Sequence, residues 1–326
     1  MILYIFFCLI GFAMLYYGAE WLVKGSSSLA RSLGITPIVI GLTVVAFGTS
    51  APELVVSVVS SLKGKSMIAV GNVVGSNICN IALVLGMSAA LQPITSHRSV
   101  IQRDIPVMLG ISIYLLLLSF NSTLGRFEGL TLFAGLILYI VMNYTLARKE
   151  TETEIDPGLA EIAAEAAEIA HVGSRPKQVG LILIGILLVV SGAEIVVDAA
   201  VVIMRQLGVG EKFIGLTIVA FGTSLPELAT SVVAAMRREM DISIGNLVGS
   251  NVFNIMSVLG IAALVRPIHI PGGFWESGLW FDYLVMLGVS ALPWAMMRRD
   301  LTVSRKNGGA LLACYVAYMI YLVVRG

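Results

Sequence analysis

Long apolar stretches joined by short polar segments organise this chain. Runs long enough to cross the ~30 Å hydrocarbon layer of a bilayer fall at residues 2–23, 36–62, 67–91, 104–121 and 127–147. A second series falls at 179–201, 213–236, 242–265, 281–297 and 307–324. The pattern predicts an all-α integral membrane protein of ten transmembrane helices in two sets of five. The first run lacks a basic segment before it and is long enough to span, so it is expected to be a retained helix rather than a cleaved leader.

The two sets are copies of one another. Residues 41–94 align without a gap on residues 215–268, and 30 of the 54 positions are identical. Ala19-Glu20 matches Ala193-Glu194 and Leu33-Gly34 matches Leu207-Gly208 at the same spacing of 174 residues. After a short insertion near Pro271-Gly272-Gly273, the run DIPVMLG from Asp104 matches DYLVMLG from Asp282. The chain therefore divides into a first five-helix repeat (1–147), a linker (148–178) and a second five-helix repeat (179–326).

An odd number of helices per copy makes the second copy start on the opposite side of the membrane, so the repeats are expected to be inverted. With the N-terminus outside, fourteen Lys and Arg fall in inner segments and seven in outer ones. The positive-inside rule then predicts a multi-pass protein of the cell membrane, with both termini outside and the linker cytoplasmic. That linker is acidic and water-soluble, and Asp156-Pro157 suits a helix start. At about thirty residues it is too short for an independent domain, and it is read as a connector rather than a regulatory module.

Composition narrows the function. Hydrophobic residues make up 57% of the chain, charged residues only 13%, and the formal net charge is +1. The bilayer is the surrounding partner; no nucleic acid and no obligatory protein partner are implied. Cys8, Cys79 and Cys314 all fall within predicted helices, which argues against a disulfide framework. His97, His171 and His269 share no ligand spacing, and no nucleophile–base pair recurs in the two halves, so neither a resident cofactor nor an enzyme is expected.

The repeated motif carries the chemistry. GTSAPE (48–53) and GTSLPE (222–227) place Glu53 and Glu227 in strongly apolar sequence, and ionisable groups at membrane depth are expensive and usually functional. Pro52 and Pro226 are expected to open the backbone at mid-helix, each against the carbonyl of Gly48 or Gly222 four residues back, at a cost of about 3 kcal/mol. Opened backbone in lipid must be buried in protein or line a cavity. The motifs thus offer carbonyls, carboxylates and the hydroxyls of Thr49, Ser50, Thr223 and Ser224, an all-oxygen set suited to hard cations such as Ca²⁺. GNVVGSNICN (71–80) and GNLVGSNVFN (245–254) add Ser76, Asn80, Ser250 and Asn254, together with glycines that admit close helix packing. Glu20 with Lys24, and Glu194 with Asp198, stand four apart near helix ends and are read as structural or gating groups without ion contact. Asp104 and Asp282 are read as helix caps.

GTSxPE followed by GSNxxN, present twice, resembles the α-repeats of the prokaryotic sodium/calcium exchangers of the calcium/cation antiporter superfamily, and the likeness spans the chain. The resemblance implies that Glu53 and Glu227 hold Ca²⁺ with the carbonyls of Thr49 and Thr223. It implies Na⁺ positions at Ser50, Ser76, Ser224 and Ser250 with the carbonyls of Ala46 and Ala220, and Asn80 and Asn254 closing the centre. Na⁺/Ca²⁺ antiport by alternating access, with the first and sixth helices as a sliding pair, is the implied activity. The alternative is a proton-coupled Ca²⁺/cation antiporter; that sister family usually places an acid in its second motif, where this chain has Val74-Gly75.

Overall fold

The computed structural model describes residues 1–154, 173–208 and 220–325. The first half consists of α1 (Ile2–Leu33), α2 (Pro37–Thr49), α3 (Ala51–Leu62), α4 (Ser66–Leu91), α5 (Val100–Ser119) and α6 (Arg126–Glu154). The second consists of α7 (Arg175–Gln206), α8 (Ala220–Gly222), α9 (Leu225–Met236), α10 (Met240–Val265), α11 (Gly273–Glu276), α12 (Leu279–Asp300) and α13 (Arg305–Arg325). Among the described residues, eight helices are long and apolar enough to cross a membrane. A ninth span is the pair α2 and α3, bent by 47°. The run expected at 213–236 appears as α8 and α9, and residues 213–219 lie outside the described residues.

Local chemistry explains the boundaries. Helix α1 ends at Gly34, whose φ of 66° is the left-handed turn that glycine adopts without cost. Gly34 N–H bonds Arg31 O and Ile35 N–H bonds Ala30 O, and Pro37 then opens α2 in its first turn. Helix α6 continues past the apolar run that ends at 147 to Glu154, and α7 starts at Arg175, ahead of the run that begins at 179. A helix need not stop where its sequence turns polar. The linker residues 155–172, including Asp156-Pro157, lie outside the described residues.

Helices α4 and α10 form the centre. Of their most apolar windows 72% and 83% is buried, against 22% for α1. Helix α1 instead presents Ile2, Phe6, Leu9 and Phe12 outward, as a lipid-facing helix must. Both central helices contain a π-helical stretch at matched positions, Asn80–Leu85 and Asn254–Leu259, a feature that frequently marks functional segments. Helix α1 lies along α7. An added Cβ at Gly18 would stand 2.9 Å from Val189 N, and one at Gly185 would stand 2.6 Å from Leu22 N, so these two backbones meet through small residues.

Two short antiparallel ribbons tie the halves together. β1 (Ile94–Thr95) pairs with β4 (Thr302–Val303), and β2 (Thr123–Leu124) pairs with β3 (Ile268–His269). Each ribbon takes one strand from each half.

Candidate ion-binding site

The GTSxPE motifs do not kink a continuous helix. In each, the chain leaves helical geometry at the serine (Ser50 φ −81°, ψ 7°; Ser224 φ −90°, ψ 4°) and a new helix starts at the next residue. Pro52 and Pro226 therefore occupy the first turn of α3 and α9. The mid-helix penalty does not arise there, because an N–H in the first turn has no intrahelical acceptor to lose. Glu53 and Glu227 fall in the same first turns, where the helix dipole favours an anion. Gly48 and Gly222 serve packing rather than helix breaking. A Cβ at Gly48 would run into Ile186 Cδ1, and one at Gly222 into Val197 Cγ2, both on α7.

The breaks bring the two motifs together. Glu53 and Glu227 are both fully buried. Ser50 Oγ, from the first motif, donates to Glu227 Oε1 of the second at 3.2 Å. The closest described cations on these helices are Lys63 and Arg237, one residue past the far ends of α3 and α9.

Most of the predicted side-chain oxygens are left without protein partners. Both Glu53 oxygens, Glu227 Oε2, Thr223 Oγ1, Ser224 Oγ, Asn80 Oδ1 and Asn254 Oδ1 are buried with no hydrogen bond. These seven are half of the fourteen such side-chain atoms among the described residues. Burying one polar group without a partner costs roughly 1–3 kcal/mol, and an ionised one far more. Seven such atoms fall within the two repeated motifs.

The remaining members are placed by neighbours. Thr49 Oγ1 lies 3.1 Å from Val45 O, 3.0 Å from Asn246 Oδ1 and 3.4 Å from Ser250 Oγ. Ser76 Oγ donates to Val73 O and accepts from Asn254 Nδ2 at 3.0 Å. Ser50 N–H bonds Ala46 O, whereas Ser224 N–H turns back to Phe221 O. Of Ala220 only the backbone, at the start of α8, is described.

Sequence reasoning missed a second set of amides. Asn77 Nδ2 donates to Asn251 O (3.2 Å) while Asn251 Nδ2 donates to Asn77 O (3.3 Å). Asn80 Nδ2 donates to Asn251 Oδ1, and Asn254 Nδ2 to Asn77 Oδ1, both at 3.1 Å. Each bond is thus made twice, once in each direction. Asn72 Nδ2 and Asn246 Nδ2 repeat the arrangement on Ser57 Oγ (3.0 Å) and Ser231 Oγ (2.9 Å). These contacts occupy the amide N–H groups of Asn80 and Asn254 and leave their Oδ1 atoms as free acceptors. Their signal was the duplication itself: Asn72 and Asn77 recur as Asn246 and Asn251.

Other expectations fare differently. Glu20 does not pair with Lys24; it forms an ion pair with Arg237. Asp104 stands where the π-helical turn of α5 passes into α-helix and makes no side-chain cap bond, and Asp282 stands in the first turn of α12. Asp104 is buried beside Arg103 Nε (2.9 Å), and Asp282 accepts from Tyr318 Oη (3.2 Å). Gly245 and Gly249 pack α10 on α2: an added Cβ would stand 2.8 Å from Ile38 O and 2.6 Å from Leu42 O, respectively.

Broken helices converging on paired buried carboxylates, amides and hydroxyls define an integral membrane protein with a central oxygen-lined site. The chain belongs to the sodium/calcium exchanger family: the family model described as "Sodium/calcium exchanger protein" matches residues 3–145 and 177–324. It is 30% identical to the sodium/calcium exchanger MaX1 of Methanosarcina acetivorans, covering 96% of this chain and 97% of that one. It is 36% identical to the inner membrane protein YrbG of Escherichia coli, over 96% and 95% of the two chains. The sodium-calcium exchanger NCX_Mj, in crystals soaked with 10 mM Na⁺ and 10 mM Sr²⁺, superposes with a TM-score of 0.82 at 32% identity, covering 98% of each chain.

Proposed function

We propose that this protein is a secondary antiporter that exchanges Na⁺ for Ca²⁺ by alternating access. The observation that carries the reading is the group of buried oxygens without hydrogen-bond partners around Glu53 and Glu227. Two carboxylates set a formal charge of −2, which one Ca²⁺ or two Na⁺ neutralises. Competition of two ions for one set of oxygens, gated alternately to the two sides, is antiport. Ca²⁺ takes six to eight oxygens, and we assign it to Glu53, Glu227 and the carbonyls of Thr49 and Thr223. Na⁺ is assigned to Ser50, Ser76, Ser224 and Ser250 with the carbonyls of Ala46 and Ala220, and the Oδ1 atoms of Asn80 and Asn254 close the centre.

The reciprocal amide bonds and the exchanged ribbons support two repeats related by a pseudo-two-fold axis; the odd number of helices expected per repeat supports their inversion, and the excess of Lys and Arg in the inner segments supports both termini outside with the linker cytoplasmic. One asymmetry supports the gating. Helix α1 lies along α9. Between the counterpart elements α7 and α3 there is instead a cavity of about 370 Å³, lined by Pro52, Val56, Glu194, Asp198, Gly222 and Thr223. One face is thus closed over the site while the other gives access to the motif. The glycine seam between α1 and α7 lets that pair slide as a unit.

The test is ⁴⁵Ca²⁺ uptake into proteoliposomes. Loading with Na⁺ should drive uptake that a pH gradient alone does not. Uptake that follows the pH gradient and ignores Na⁺ would replace this reading with proton-coupled exchange.

A further inference from the structure

The closed face carries an ion pair whose mirror image is present in sequence and open in structure. Glu20, on α1, pairs with Arg237, which stands one residue past α9. Moving 174 positions takes Glu20 to Glu194 on α7, and Arg237 to Lys63, one residue past α3. The acid and the base are thus both repeated. In this conformation Glu194 lines the cavity and makes no ion pair with Lys63. The same two elements, a long lipid-facing helix and the end of a half-helix, are therefore latched on one face and parted on the other.

We propose that Glu20–Arg237 and Glu194–Lys63 are mutually exclusive latches, each closing one face of the transport cycle. When α1 and α7 shift against the bundle, Glu20 leaves Arg237 as Glu194 approaches Lys63. The neighbouring charges make the two latches unequal. Lys24, four residues beyond Glu20, competes with Arg237, whereas its counterpart Asp198 adds a second acid for Lys63. The closed face has a compensating pair, Arg31–Glu239 at 2.6 Å. Its counterparts, Arg205 and Lys65, are both cations and cannot mirror it. These charges tune which face is open at rest without touching the transported ion.

The proposal rests on the alternating-access reading, and its test separates the two. Thr230 on α9 is buried on the closed face, and its counterpart Val56 lines the cavity. Thr230→Cys therefore reports the opposite conformation, in a background with Cys8 and Cys314 replaced by alanine and the buried Cys79 retained. Its labelling by a charged maleimide is followed in nanodiscs, with Val56→Cys as the companion reporter. An exposed ion pair shifts such a balance roughly 1.5- to fivefold. Glu20→Gln should raise Thr230→Cys labelling by that factor, and Glu194→Gln or Lys63→Gln should lower it, with Val56→Cys moving oppositely. The exchanged pair Glu194→Lys with Lys63→Glu should restore the starting rate. Changes of the same sign in both halves, no effect of Glu194→Gln, or no restoration by the exchanged pair would overturn the latch. Loss of Na⁺-driven uptake in the unmodified protein would instead strike the exchange reading.

Discussion

Asn251 offers a sharp test because the proposed site does not include it as a ligand, yet it holds the amide of Asn80, which that site does include. Its Oδ1 accepts from Asn80 Nδ2 at 3.1 Å, and its Nδ2 donates to Asn77 O at 3.3 Å. Asn251→Ala removes both bonds and leaves the Asn80 amide free to rotate, so that NH₂ is as ready as Oδ1 to face the cation. A net hydrogen bond is worth about 1 kcal/mol. Losing that orientational preference should raise the half-saturating Ca²⁺ concentration about fivefold, since 1.4 kcal/mol is about tenfold. The stability cost should be about 3–5 kcal/mol, two lost bonds of about 1 kcal/mol each plus one orphaned buried group. ⁴⁵Ca²⁺ uptake against external Ca²⁺ in Na⁺-loaded proteoliposomes measures the first, and thermal unfolding in detergent the second. Asn77→Ala removes the corresponding bond to Asn254, but Asn254 keeps its bond to Ser76 Oγ, so a shift of the same sign and smaller size is expected. A folded Asn251→Ala protein with unchanged Ca²⁺ dependence would refute the positioning role. A larger shift in Asn77→Ala than in Asn251→Ala would refute this account of how the two amides are held.

Three further outcomes follow from the site. Glu53→Gln and Glu227→Gln should each reduce Na⁺-driven Ca²⁺ uptake to background. Each removes one charge worth roughly 8 kcal/mol of attraction to a divalent ion at 4 Å and an effective dielectric of 20; normal exchange in a correctly inserted variant would remove the assignment. Ca²⁺ at a hundred times its dissociation constant should stabilise the protein by about 2.7 kcal/mol, seen as a raised melting temperature that Glu53→Gln abolishes. Gly249→Ala should destabilise by ~1–3 kcal/mol through overpacking, because its Cβ would stand 2.6 Å from Leu42 O; a denaturation series that finds it neutral would show that α2 yields there.

The repeat made much of this architecture readable in advance, because duplication shows where the same physical problem was solved twice. It located Glu53 and Glu227, and their flanking hydroxyls, without any coordinates. What it concealed was the partner of each group. Nothing in GTSxPE distinguishes a proline that kinks a helix from one that begins a new helix, since both satisfy the same residue preferences; only the dihedrals of Ser50 and Ser224 separate them. The amide network was hidden for a related reason. Asn77 and Asn251 point to each other across the interface, and a linear pattern records neighbours along one helix only. Likewise Glu20 stands four residues from Lys24, which favours a local pair, but packing of α1 beside α9 brings Arg237 into competition and the tertiary contact wins.

The exchanged ribbons carry a consequence for biosynthesis. Ile94 finds its strand partner in Val303, and Thr123 finds its partner in His269. A nascent chain that has inserted its first five helices still has unsatisfied strand edges. Those edges are completed only when the final helices leave the ribosome. Maturation should accordingly be a late, cooperative docking of the two halves, and a truncation ahead of Thr302, which removes β4 together with the last helix, should expose Ile94 and Thr95 to quality-control proteases.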